Sequence, residues 1–324
     1  YGQTATNGGD AKNNFVTLNA GSKILYQNYS GFNEVAAMGG RATGEFSAIG
    51  NHLDILGETQ IGDPATHRGR IAGAAVENGA ASGNYINITG KVILGASQEL
   101  DGVKAAKTNT KTLSGNYITI NNAEAKVQNA VGANATGEGN NIGGKATAIG
   151  NYVILQNGQA ESTTGSYMAA ESKNNYSRII GGKVVGDVHG GFGGINTTHT
   201  AKSDGDHVEI QGGEIGGSAY GFRNINGDVK SSYVELSGGK VAKDAIGGLS
   251  TNGKISGTKV VLNGGEVGND VIGGSSVSGD VTGGRVEIAN GATVGHDIIG
   301  GRSEKGKVEG GWVVADLTGK TVNQ

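Results

Sequence analysis

A repeat of 26 residues constrains this chain more than any other feature, because a repeat dictates architecture before any single residue does. Val208-Glu209-Ile210, Val234-Glu235-Leu236, Val260-Val261-Leu262 and Val286-Glu287-Ile288 open four copies at that spacing. Gly213, Gly239, Gly265 and Gly291 keep it, as do the pairs Gly247-Gly248 and Gly273-Gly274 further on. The fourth copy slips by one residue near Ala292-Thr293, so Gly300-Gly301 and Val313 arrive 27 residues after their counterparts.

Each copy reads as three short strands divided by glycine corners. In one they are Lys259 to Leu262, Glu266 to Ile272 and Gly279 to Thr282. The apolar-any-apolar pattern is the two-residue period of a strand with one buried face, which sends Val260 and Leu262 inward. No segment sustains a helical period of 3.6 residues. Such a turn cannot bury its apolar face alone, whereas stacked turns share a continuous core. The predicted fold is all-β: a parallel β-helix (solenoid) with three short strands per turn, right-handed because that is the commoner hand for turns this long.

The first strand recurs upstream as Phe15 to Leu18, His52 to Ile55, Tyr85 to Ile88, Tyr117 to Ile120 and Tyr152 to Leu155, each preceded by an Asn. Spacings there are 37, 33, 32 and 35 residues. The expectation is one domain, 1–324, with longer loops in 1–176 and regular turns of about 26 residues in 177–324. About ten turns would make a rod roughly 50 Å long at ~4.8 Å per turn. Asn and Gly suit tight corners because both tolerate positive φ. Asn side chains in register can also hydrogen-bond from turn to turn.

Composition narrows the function. Gly is 63 of 324 residues without a three-residue period, which excludes collagen. A single Pro, with Val, Ile, Tyr and Asn throughout, argues against a disordered linker. A net charge of −3 implies no nucleic-acid partner, and no apolar run approaches the ~20 residues of a membrane helix. Cys is absent, which removes disulfides and thiolate metal sites together.

Catalysis needs clustered titratable groups. Glu209, Glu235 and Glu287 read as a solvated outward column broken by Val261, and Asp244, Asp270 and Asp297 share one corner position on successive turns. The six His residues form no His-x-x-x-His pair, and His189, aligned with Ile246 and Ile272, reads as a hydrogen-bonded core histidine. Asp204-Gly205-Asp206 begins like a calcium loop but lacks the downstream ligands. No acidic cluster, and no Lys and Arg with Asp, is expected in neighbouring turns. The expectation is no catalytic residue, no metal and no cofactor; the chain is not an enzyme.

Binding residues are then sought where the repeat breaks. Gly191 and Phe222 hold equivalent positions 31 residues apart, and the extra residues fall between Phe192 and His207. The insertion, Phe192 to Asp206, should protrude and carries His199, Asp204 and Asp206. Phe222-Arg223 replaces a Gly and a variable residue, and reads as an exposed aromatic anchor beside a cation. A second candidate is a long loop from Gly57 to Asn78, with Pro64, His67, Arg68 and Arg70. A third is Gln98 to Ser114, with Lys104, Lys107 and Lys111.

Gly115 to Ile120 (Gly-Asn-Tyr-Ile-Thr-Ile) and Gly264 to Gly274 (Gly-Gly-x-Val-x-x-Asp-Val-Ile-Gly-Gly) resemble passenger domains of type Va (classical) autotransporters, above all the large fusobacterial autotransporter adhesins. The resemblance covers nearly the whole chain. It implies a passenger fragment exposed outside a Gram-negative cell, with a signal peptide before it and an outer-membrane β-barrel after it in the parent protein. Tyr1, without a Met before it, fits an excised piece, and a chain without Cys can cross the periplasm untrapped. The implied function is adhesion to a host cell-surface protein or glycan, or to other bacteria, by a monomer that meets membrane only through the barrel. Two alternatives stay open: a passive stalk within a larger passenger, and a carbohydrate-active enzyme such as a polysaccharide lyase or tailspike hydrolase.

Overall fold

The computed structural model describes residues 4–5, 9–24, 37–62, 69–94, 98–105, 109–136, 145–194, 199–289 and 291–316; every regular element among them is a strand. The first strand forms an unbroken parallel ladder from Phe15–Leu18 through Lys259–Leu262 to Trp312–Ala315, residue facing equivalent residue in successive turns. The chain is a β-solenoid. Its register follows from the two-residue period, since a slip of one would turn every apolar side chain outward. The slip in the fourth copy is real: Glu266 pairs with Thr293 and Val271 with Ile298, each 27 residues on.

One regular turn shows the plan. Its first strand, Lys259–Leu262, sends Val260 and Leu262 inward, both fully buried. The segment expected as one strand from Glu266 to Ile272 is two, Glu266–Val267 and Val271–Ser276, parted by a bend at 268–270. Val281–Thr282 closes the turn. These are the first, second, third and fourth strands below. In two earlier turns the first three run on as single bent strands, Tyr117–Asn134 and Tyr152–Tyr167. The fourth strands form a separate eleven-stranded sheet.

The interior has two lobes. The first, second and early third strands enclose the main core, where Leu53, Ile86, Ile118 and Val153 succeed one another and, after Ser177, so do Val208, Val234, Val260 and Val286. The late third and fourth strands enclose a smaller one, built of Ala and a few larger residues upstream and of Ala201, Phe222, Val229, Ile255 and Val281 downstream. Between the lobes the third strand touches the first strand of the next turn. A Cβ on Gly273 would stand 2.4 Å from the backbone nitrogen of Arg285, and one on Gly102 would stand 2.7 Å from that of Tyr117. Glycine is required at this waist because only a residue without Cβ lets two backbones come so close.

Two side-chain columns tie the turns together. Asn14, Asn51, Asn84, Asn116 and Asn151 form the ladder expected from their register, and Asn175 extends it by one turn. The amide of each donates to the Oδ1 of the next at 2.8–2.9 Å. Asn175 passes the ladder to Asp206 at 2.9 Å. Beside it, the first residues of eight first strands stack as rings: Phe15, His52, Tyr85, Tyr117, Tyr152, Tyr176, His207 and Tyr233. Their centroids lie 4.5–5.5 Å apart.

Candidate functional site

The bend at the waist makes the outside of the third strand concave. In Val271–Ser276 the side chains of Val271 and Ser276 face the two cores, as a Cβ on Gly274 would, which leaves Ile272 and Ser275 facing out. Because the strand folds inward between them, the two outward positions converge across a groove that runs along the rod. Their contacts show it: Leu249 at the second position packs on Tyr220, Ile246 and Ile272 at the first, although all point away from both cores. Successive turns stack these positions in register, so chemistry changes along the groove one turn at a time.

The stretch nearest the N-terminus is charged. Arg70 pairs with Glu99 and lies 3.9 Å from Asp101. Lys104 donates to Asn134 Oδ1 at 2.9 Å and to Thr136, while Asn134 donates to Asp101 at 3.0 Å. Burial holds the Lys104 ammonium down at about 7 and pushes the Asp101 carboxyl up, against the pull of Lys104 and Arg70. Asp101 Oδ2 has no hydrogen-bond partner. The expectation that no Lys and Arg with Asp meet in neighbouring turns is therefore overturned. It failed because spacings of 32 to 37 residues conceal which third-strand residues become neighbours. Asp101 and Lys104 are 0% and 2% exposed, whereas Arg70 and Glu99 above them are partly exposed.

The middle stretch is aromatic. Third strands of three successive turns, Tyr152–Tyr167, Val188–Phe192 and Ala219–Asn224, bring Tyr167, His189, Phe192, Tyr220 and Arg223 together. His189 stacks on Tyr220 at 5.2 Å and meets Phe192 at 5.0 Å with the rings tilted by 51°. Tyr167 stacks on Phe192 at 5.4 Å. The Arg223 guanidinium lies 5.1 Å from the Tyr220 ring and 5.9 Å from the Phe192 ring, and 3.5 Å from the Asp187 carboxylate. His189 is 8% exposed, and neither ring nitrogen has a hydrogen-bond partner. Burial drives its pKa down to about 4, so at neutral pH the ring is uncharged, with one nitrogen to donate and one to accept. Tyr167, Phe192 and Arg223 are half-exposed above it. Downstream the groove turns aliphatic, with Ile246, Leu249, Ile272 and Ile299. Asp244 and Asp270 line one rim, each accepting the backbone N–H of the next Asp at 3.2–3.3 Å.

The structure sorts the sequence candidates. Phe192 and Arg223 meet in the groove. Phe222 does not: it is 1% exposed, directed into the small core, where the preceding turn leaves room by having Gly191, on which a Cβ would stand 2.7 Å from the ring. Asp206 is fully buried as the last member of the Asn ladder. His199 is buried, 3.4 Å from the Ala169 carbonyl, and Asp204 sits on a fourth strand paired with Lys230 at 3.3 Å. The ends of the 192–206 insertion do not protrude, since Gly193, Gly194, Ala201 and Ser203 are buried; its residues 195–198 lie outside the described residues, as do His67, Arg68 and Lys107. Arg70 is on no loop. The segments 57–78 and 98–114 contain the strands Thr59–Ile61, Gly69–Val76, Gln98–Ala105 and Thr112–Ser114. Their Ala-rich pattern hides the alternation that marks the other turns.

His189 belongs to the column of Ile246 and Ile272, as its alignment indicated, but that column faces the groove, and the imidazole makes no hydrogen bond. Tyr167, Asp187 and Tyr220 were missed. The signal for Tyr167 and Tyr220 was the outward position they share with the variable residues beside the glycine pairs, whereas Asp187 falls in the corner column of Asp244, Asp270 and Asp297. Among the described residues, no group of three or more His, Cys, Asp or Glu side chains could hold a metal ion. No family model, curated protein or solved structure matches the chain.

Proposed function

We propose that this chain is the shaft and binding face of a bacterial surface adhesin, carried outside a Gram-negative cell in the manner of a type Va autotransporter passenger. It holds a host-cell receptor, protein or glycan, in the groove at its waist. The convergence of Tyr167, His189, Phe192, Tyr220 and Arg223 from three turns carries this reading. Half-exposed aromatic and arginine side chains over a buried, unsatisfied donor and acceptor make a binding anchor, because a ligand that reaches His189 supplies the bonds the fold leaves unmade.

A labelled chain should bind host cells, and removal of surface glycans or of surface proteins should abolish that binding and so identify the receptor class. Phe192→Ala and Arg223→Ala should each weaken it at least about tenfold, the effect of losing one anchor, while Ser275→Ala should not. Binding unchanged in both groove variants would place the receptor elsewhere on the rod. A second reading, a passive spacer, draws on the turns from Tyr233 to Ser303, whose groove, among the described residues, holds Ile246, Leu249, Ile272 and Ile299 and no aromatic ring. A folded chain that binds no cell type would favour it.

A further inference from the structure

We propose that the ring ladder on the first-strand face is a second binding site, for flat, elongated aromatic cations, independent of the groove and of the adhesin reading. Tyr85, Tyr117, Tyr152 and Tyr176 stack at 4.8–4.9 Å with planes within 9° of parallel. Each ring is half-buried, so one edge stays open and the four edges make a straight ridge ~14 Å long at the spacing of parallel strands.

Beside the ridge lies a bare shelf. Gly83, Gly115 and Gly150 hold φ between 60° and 62°, and a Cβ on any of them would meet no atom within 4 Å. On the other side the outward residues of the first strands are Asn87, Thr119 and Ile154, none of them charged. The ends are marked by opposite charges. The Asp54 carboxylate, 3.5 Å from His52 Nε2, lies close enough to Tyr85 to raise its pKa, second to the effect of burial, and the Arg178 guanidinium, ion-paired with Glu209, stands 5.2 Å over the Tyr176 ring.

A planar molecule can lie along the rod against several ring edges at once, as aromatic compounds can on stacked-strand surfaces. Its cationic end belongs toward Asp54, away from Arg178. A sugar fits this site poorly, because stacking on aromatics uses ring faces and each interior face here is covered by a neighbour. The shelf also explains which residues the ladder tolerates beside it. Asn174 and Ser231 occupy the same column with φ of 52° and 53°, so a side chain is sterically allowed there, and the Asn174 amide lies over Gly205 of the next turn.

The test is titration of thioflavin T, a planar aromatic cation, into the monodisperse chain collected from size exclusion, read by fluorescence. A saturable gain is expected. Gly115→Asn should lay an amide over the shelf at Gly150 and weaken binding at least about tenfold, as should Tyr117→Leu, which interrupts the ridge. Gly283→Asn, in the same column two turns beyond Tyr233, should bind as the parent does. A circular-dichroism melt verifies the fold of each variant, and Gly115→Asn decides the matter should Tyr117→Leu fail to fold. No saturable signal, a signal surviving both variants, or a signal confined to aggregated fractions would overturn the proposal.

Discussion

Asp206 stands where six earlier turns place asparagine, and its chemistry differs accordingly. Its Oδ1 accepts from Asn175 and its Oδ2 from Ser203, yet burial still pushes the carboxyl up to about 6. That folded value lies above the ~3.9 of an unfolded Asp, so the associated stability is full below the unfolded value and is lost as pH rises through about 6. Asp206→Asn should therefore match the parent near pH 4 and gain about 3 kcal/mol at pH 7, two pKa units' worth. His189 acts in the opposite sense. Its folded value of about 4 lies below the ~6.5 of free histidine, so its contribution is full above that value and is lost as pH falls through about 4. The two slopes oppose each other in the parent. His189→Tyr, which copies the Tyr220 ring below, should leave a chain whose melting temperature rises on acidification from pH 7 to pH 4. Asp206→Asn should lose melting temperature relative to the parent over the same acidification. Melts at several pH values check both signs, and a parallel response in the two variants would refute the assignment.

At the scale of the strand, the third strand carries the design. Its two glycines do different jobs. Gly273 faces backbone on every side, from Arg285 and Gly300, and nothing there can give way; Gly274 faces the side chains of Thr258, Ile255 and Val281, which can. Gly273→Ala should cost about 3 kcal/mol, the upper end for overpacking, and Gly274→Ala distinctly less, as read by chemical denaturation. The first strand is simpler. Val260→Asp and Leu262→Asp each place an unpaired carboxylate in the main core and should cost more than ~4 kcal/mol, among the largest single-site effects. A melt indistinguishable from the parent's would refute the inward assignment of either residue.

The whole molecule is a one-dimensional stack, in which each turn is stabilised by the turns on either side. The last described turn has a neighbour on one side only: Trp312, Val313 and Val314 are 39%, 41% and 54% exposed, although Val313 continues a column that is fully buried at Val286. Hydrogen exchange in this chain should be fastest at 312–315 and slowest in the middle turns around 152–179. Uniform protection along the rod would mean that it opens as a single unit instead. The stacking also explains why a site can be assembled at all. Residues separated by 25 or 31 positions lie about one strand spacing apart, so three turns suffice to gather Tyr167, His189 and Arg223.

What the sequence determined by itself was everything carried by local period. Alternation of two placed Val260 and Leu262 inside, the 26-residue recurrence set the register of the ladder, and the aligned Asn residues announced their hydrogen-bonded column. The one-residue slip at 292–293 was equally legible. What only the tertiary structure decided was the direction of side chains around the waist. The third strand bends at Gly273 because it meets the backbone of Arg285 in the following turn, a contact that no local pattern records. That bend sends Phe222 into the small core and Tyr220 into the groove, the reverse of the sequence-based expectation for Phe222. It also turns the column of His189 from core to groove. The Arg70, Glu99, Asp101 and Lys104 cluster escaped for a related reason: irregular spacings leave open which residues become neighbours, and only the folded chain pairs them.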